Sequence, residues 1–176
     1  MKIALGVLLA AALALTWGLV AETTKNGQLQ GQVTELTSKL GDKTARDNLE
    51  LQEKCATQAE KVFRQEDKEL RQPQLGVPVS VMYHAHTSHY HAKLNKCFIL
   101  TEYLSSLGGT DTSLTVSNLF DAYEQRTYAT YTFMPDKVKK YWEVPPKVCT
   151  LIPSSAATTT CKSKEEFDAF VARYME

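Results

Sequence analysis

Apolar residues follow four different spacings along the chain, and each spacing predicts a different element. From Ile3 to Ala21 the chain carries no charge at all, with only Lys2 in front and Glu22 behind. Between Glu22 and Asn48 the apolar positions thin to Leu29, Val33, Leu36 and Leu40, at intervals of 4, 3 and 4, which draw one narrow seam along a helix. Gly41 is expected to interrupt that seam. From Leu49 to Leu70 the stripe broadens, with Leu51, Cys55, Ala59, Val62 and Phe63 on one face and Glu, Lys, Gln and Arg on the other, predicting a helix that packs on a core. Beyond the Pro73, Gly76 and Pro78 breakers the period falls to two. Cys97 to Leu104, Ser113 to Tyr123 and Thr127 to Phe133 are rich in β-branched and aromatic residues and read as antiparallel strands, with Asn95 and Gly108-Gly109 as turn signals around the first. In the third run Ala129, Tyr131 and Phe133 alternate with Tyr128, Thr130 and Thr132, so the two sets should face opposite ways. After Trp142 the prolines 145, 146 and 153 and the run Ser154 to Thr160 predict a loop. Ser163 with Glu166 then forms a capping-box pattern ahead of Phe167, Phe170, Val171 and Tyr174, which predicts a closing amphipathic helix.

These elements divide the chain into a signal peptide or N-terminal transmembrane anchor over 1–21, a polar helical stalk or linker over 22–46 and an exported domain over 47–176. The fold class is α+β, a small antiparallel sheet packed by an N-terminal and a C-terminal helix. The apolar run is long enough to span a bilayer as a helix, and Leu19 spoils a cut after Ala21. A cut after Gly18, with Thr16 also small, is the cleaved alternative to an anchor. The expected location is the bacterial periplasm, or the inner membrane facing it, or the medium if the leader is removed. A coiled-coil seam in the stalk would make a homo-oligomer, and 3–21 would hold the membrane.

Composition narrows the partners. The 176 residues carry 20 basic and 20 acidic side chains, so there is no cationic surplus for a nucleic-acid backbone, and nucleic acid is not an expected partner. The four cysteines, Cys55, Cys97, Cys149 and Cys161, are an even set in a chain with an export leader and read as disulfides. Of the three pairings, Cys149 with Cys161 is favoured because the two bracket a short Ser/Thr/Pro-rich segment, leaving Cys55 for Cys97. No two cysteines make a C-x-x-C half-site, which argues against a zinc knuckle.

All four histidines fall between Tyr83 and Tyr90-His91. If Thr87-Ser88 turns a hairpin, His84, His86, His89 and His91 share one face and form a zinc or copper site; if the segment is one strand, His84 and His86 face away from His89 and His91. Thr-Ser lacks the Gly or Asn that tight hairpins prefer, which counts against the four-ligand site and leaves a polar, partly exposed strand or loop with no bound cofactor. Clustered imidazoles would in either case respond to pH near 6. Ser88 and His89 with Asp111 or Asp121 are the nominal parts of a hydrolytic triad, but no G-x-S-x-G, H-E-x-x-H, P-loop or G-x-G-x-x-G pattern supports catalysis, and no enzyme is expected. The rings of Tyr123, Tyr128, Tyr131, Phe133, Tyr141 and Trp142 are dense enough to line a binding groove, expected around Tyr128, Tyr131 and Trp142.

The stretch Ser88 to Leu100, with His89-Tyr90 and Lys93-Leu94-Asn95-Lys96-Cys97-Phe98 at its centre, resembles a pattern in exported bacterial proteins to which no activity is attached. In that group a Cys-bearing helix, like Glu53 to Phe63, precedes an H-Y-N-x-K-L-N-K-C-F strand; here His91 stands where the pattern has Asn. The resemblance implies a Cys55–Cys97 pairing and no activity. The expected function is a non-enzymatic cell-envelope or periplasmic domain that binds a protein or small ligand, with metal binding through the four histidines as the alternative.

Overall fold

The computed structural model describes residues 2–72, 79–107, 113–153 and 157–176, with side-chain surroundings described from residue 27 onward. The apolar run 3–21, Asp111 and the Gly108-Gly109 turn lie outside the described side chains or residues. Among the described residues no helix is long and apolar enough to cross a membrane.

Helix α1 covers Lys2–Leu70. Six strands follow: β1 (Val79–His91), β2 (Lys96–Leu107), β3 (Ser113–Asp121), β4 (Thr127–Phe133), β5 (Val148–Leu151) and β6 (Thr159–Thr160), before α2 (Lys164–Met175). The chain divides into two compact units, Met1–Asp47 and Asn48–Glu176. In the first, Gly41 sits inside the helix and does not break it, and Leu29, Val33, Leu36 and Leu40 stay exposed. Thr34, Thr37 and Thr44 satisfy their hydroxyls on the carbonyls of Gln30, Val33 and Leu40, one turn back.

In the second unit the six strands form one antiparallel sheet in the order β1-β2-β3-β4-β5-β6, each strand beside its sequence neighbour. Local turn chemistry sets this order. The β1–β2 hairpin pairs His91 with Lys96 and turns through Asn95 at φ 50°, whose side chain accepts from the Tyr90 hydroxyl at 2.7 Å. At the β3–β4 hairpin the Asp121 carboxylate accepts from the N–H groups of Tyr123 (2.8 Å) and Glu124 (3.0 Å), while Gln125 takes φ 53°. Lys96 closes the same corner, its ammonium 3.1 Å from Asp121 and 2.6 Å from Glu124, and these bonds hold its pKa well above the usual lysine range.

The two faces of the sheet are covered by different helices. Helix α2 lays Phe167, Phe170, Val171 and Tyr174 on Phe98, Leu119, Tyr128, Ala129, Tyr131 and Phe133. At its start Ser163 accepts from the Glu166 N–H as the capping pattern predicts, while the Glu166 carboxylate accepts from the Lys162 N–H, one residue ahead of the cap. Residues 48–70 of α1 cover the other face through a smaller cluster of Cys55, Ala59, Cys97, Ile99 and Ala122. Each face carries one disulfide, Cys55–Cys97 and Cys149–Cys161, with Cα atoms 5.3 and 5.1 Å apart. Two expectations need correction. The stretch after Trp142 is not all loop, because β5 and β6 extend the sheet and the second disulfide ties these two strands together, with the Cys161 N–H on the Cys149 carbonyl. Tyr128 does not face away from Ala129: the register slips between Leu119 and Phe120, and this bulge turns Tyr128 onto the α2 face, 5.1 Å from Phe98 and 5.3 Å from Tyr174 between ring centres.

Candidate functional site

The histidine segment is one continuous strand with no turn at Thr87-Ser88, and its residues pair without interruption from Tyr83–Leu104 to His91–Lys96. A slip between Val81 and Tyr83 sets the parity of everything after it. His84 and His86 therefore face α1, where the Phe63 ring lies 4.3 and 4.4 Å from them, and His91 packs on Phe98 of the opposite face at 6.2 Å, with His89 beside it at 6.3 Å. The four-imidazole site at His84, His86, His89 and His91 is thus not formed, because alternate residues of a strand point to opposite sides. Among the described residues no group of three or more His, Cys, Asp or Glu side chains is placed to hold a metal ion.

What forms instead is a buried polar cluster under α1. The His84 ring, 1% exposed, places Nδ1 2.9 Å from Asp67 Oδ1 and Nε2 3.9 Å from Glu66 Oε2. Glu66 also accepts from the Thr101 hydroxyl, and burial raises its pKa above the usual carboxylate value. Asp67, bonded by Arg71 and then by His84, is lowered to about 2. Tyr103 packs edge-on against His84 at 5.9 Å, and its phenol is raised by burial. The imidazole is enclosed, whereas Glu66 also lines an open cleft of about 310 Å³ with Val62, Gln65, Asn118 and Phe120. Gln52 does a related task beside it, donating to the Ser88 carbonyl and accepting from the Tyr90 N–H, so that an α1 side chain occupies hydrogen-bonding groups of the sheet's outer strand.

The nominal triad is not assembled. Ser88 and His89 are neighbours on one strand and so lie on opposite faces, and Asp121 is committed to its turn and to Lys96. Asp111 lies outside the described residues.

The aromatic groove is corrected in place rather than in kind. Tyr128 and Tyr131, 0% and 3% exposed, belong to the core under α2, whereas Trp142 is 76% exposed. Burial, and then a hydroxyl contact with Tyr141, hold the Tyr131 phenol above its ordinary range. The open aromatic surface lies on the β4–β5 crossover, residues 134–147. Tyr141 stacks on Phe133 at 4.6 Å, Val144 packs against the α2-side core, and the Lys147 N–H returns to the Thr132 carbonyl. Asp136 accepts from the N–H groups of Val138 and Lys139, and Glu143 accepts from that of Lys140 as the chain turns into the 3-10 turn Tyr141–Glu143. With both ends and the turns held, Trp142 stays outside with the Lys140 ammonium 5.2 Å from its ring centre. Between this crossover and the first turn of α2 runs a cleft of about 340 Å³, lined by Tyr131, Trp142, Pro145, Pro146, Lys164 and Glu165 among others. The sequence signal for this surface was the run Lys137-Val138-Lys139-Lys140-Tyr141-Trp142, cations interleaved with apolar groups between a Pro-Asp turn and a Pro-Pro stop. The sequence predicts a loop only after Trp142 and no element for this run.

The chain matches no family model, no curated protein and no solved structure.

Proposed function

We propose that residues 48–176 form a non-enzymatic binding domain of the cell envelope, and that its binding surface is the β4–β5 crossover with the cleft behind it. The observation that carries this reading is Trp142: a large amphipathic ring left 76% exposed on a segment whose turns and anchors are otherwise satisfied. The polar clusters offer no competing reactive centre, since His84 is enclosed and Asp121 is tied to Lys96. Two disulfides suit an oxidising compartment, which supports export. The test is site-specific photo-crosslinking in the native envelope, with the photoreactive residue at position 142 or, for comparison, at Tyr83 on β1, an aromatic residue that is also exposed. Adducts at 142 and none at 83 support the reading; equal yields, or none at 142, overturn it.

A second reading concerns the first unit. The bare seam Leu29, Val33, Leu36 and Leu40 has coiled-coil spacing, which favours self-association of the stalk. Sedimentation of Leu36→Asp against the parent chain decides it: a smaller species supports the seam as an interface, and an unchanged one excludes it.

A further inference from the structure

We propose that the β4–β5 crossover docks on an anionic lipid surface, with Val138 and Trp142 seated among the headgroups and Lys137, Lys139 and Lys140 against the phosphates. This deepens the preceding reading and rests on it. Three observations support a lipid partner.

The first is the unmatched charge. Among the described residues no carboxylate lies within ion-pair distance of Lys137, Lys139 or Lys140. Asp136 and Glu143 accept from backbone N–H groups and Asp136 is also attracted by Lys139 and Lys147, yet residues 135–147 still hold four lysines against these two acids. In a chain that is neutral overall, this is a local cationic tip.

The second is the form of the apolar groups. Val138 is 93% exposed and Trp142 76%, two apolar groups bared on one segment beside its lysines. A yielding apolar medium is what such a bare side chain can enter. Trp and Tyr, with an apolar body and a polar edge, are the residues that settle at headgroup depth, and lysines reach past them to phosphate.

The third is stiffness. Tyr141 on Phe133 and Val144 in the core fix the base of the segment, so its apolar and cationic groups are held out together before any partner arrives. An interfacial element ordered in advance loses little freedom on docking.

The test uses the full chain with Trp17→Phe, which leaves Trp142 as the only tryptophan. The chain is carried by its apolar N-terminal run in neutral phosphatidylcholine discs and mixed with vesicles of phosphatidylcholine alone or with phosphatidylglycerol added. Expected are a blue shift of Trp142 emission and flotation of the discs with the anionic vesicles only. Charge reversal at Lys137, Lys139 and Lys140 should lower that association by more than about a hundredfold, while the matching Lys→Arg variant retains it and an unchanged Tm shows both remain folded. No blue shift, an equal response to neutral vesicles, or flotation that survives charge reversal each overturns the proposal. Crosslinking at position 142 to a protein, without any vesicle response, overturns the lipid partner and leaves the binding surface standing.

Discussion

The two faces of the sheet are joined to their helices by different physics. Under α2 the join is almost wholly aromatic: Phe98, Tyr128, Tyr131, Phe133, Phe167, Phe170 and Tyr174 interlock, with ring centres 4.9 to 5.5 Å apart for the pairs Phe98–Tyr174, Phe98–Tyr128, Phe170–Tyr174 and Tyr131–Phe167. Under α1 the apolar patch is small, and Gln52, Gln58, Glu66 and Asp67 bond to the sheet around it, with Gln58 reaching the Ala122 carbonyl at 3.0 Å. The lesson is that two helices equally rich in charged residues attach to one sheet by different means, residues 48–70 of α1 through a covalent clip and specific hydrogen bonds and α2 through the packing of buried rings.

The largest effect should come from the aromatic face. Phe98→Ala or Phe167→Ala removes a fully buried ring and is expected to cost about 3–5 kcal/mol by urea unfolding; a cost under about 1 kcal/mol would mean that this face does not hold the fold. Next is the clip on the other face. Replacing Cys55 and Cys97 by Ser opens a loop of 42 residues' separation and should cost about 4 kcal/mol, against about 3 kcal/mol for Cys149 and Cys161, separated by 12. The aromatic near-ultraviolet dichroism of the α2 face should survive loss of the first bridge. If it collapses, the two faces are one cooperative unit and the contrast between them is broken.

The polar cluster sharpens the contrast through pH. Burial raises Glu66 in the folded state, so the unfolded chain ionises first as pH rises, and the fold is weakened from about pH 4.5 upward. Glu66→Gln should therefore raise Tm at pH 7 and leave it unchanged at pH 4 or below. Asp67 has the opposite sign: its pKa of about 2 stabilises the fold above the ordinary aspartate range, and that support drains away as pH falls toward 2. Asp67→Asn should therefore lower Tm at neutral and higher pH, and the variant and parent profiles should converge as pH falls toward 2. The smallest effect is at Trp142. Because its ring is exposed, Trp142→Ala should change stability by no more than about 0.5 kcal/mol while removing whatever the crossover binds.

The histidines show how far a sequence reaches. Hairpin, single strand and loop all fitted their sequence, and period two said only that a single strand would split them. What was not legible was the helix waiting on one side, where Phe63 and Asp67 enclose His84, because that contact joins residues 17 to 21 positions apart through packing alone. Tyr128 failed for a different reason. Strict alternation put it with Thr130, and a bulge, whose place depends on the partner strand, reversed it. Of the aromatic trio expected to form a groove, only Trp142 lies open, since β-rich runs supply core rings and surface rings with the same composition.

By itself the sequence determined the α+β class, the strand Thr127–Phe133, the capped closing helix and the presence of disulfides, because period, turn chemistry and capping are properties of neighbouring residues. The tertiary structure alone decided which helix covers which face, where the bulge turns Tyr128, how His84 came to sit between two carboxylates and how the crossover is held with Trp142 outside. These depend on register and on contacts between distant parts of the chain, which no local pattern encodes.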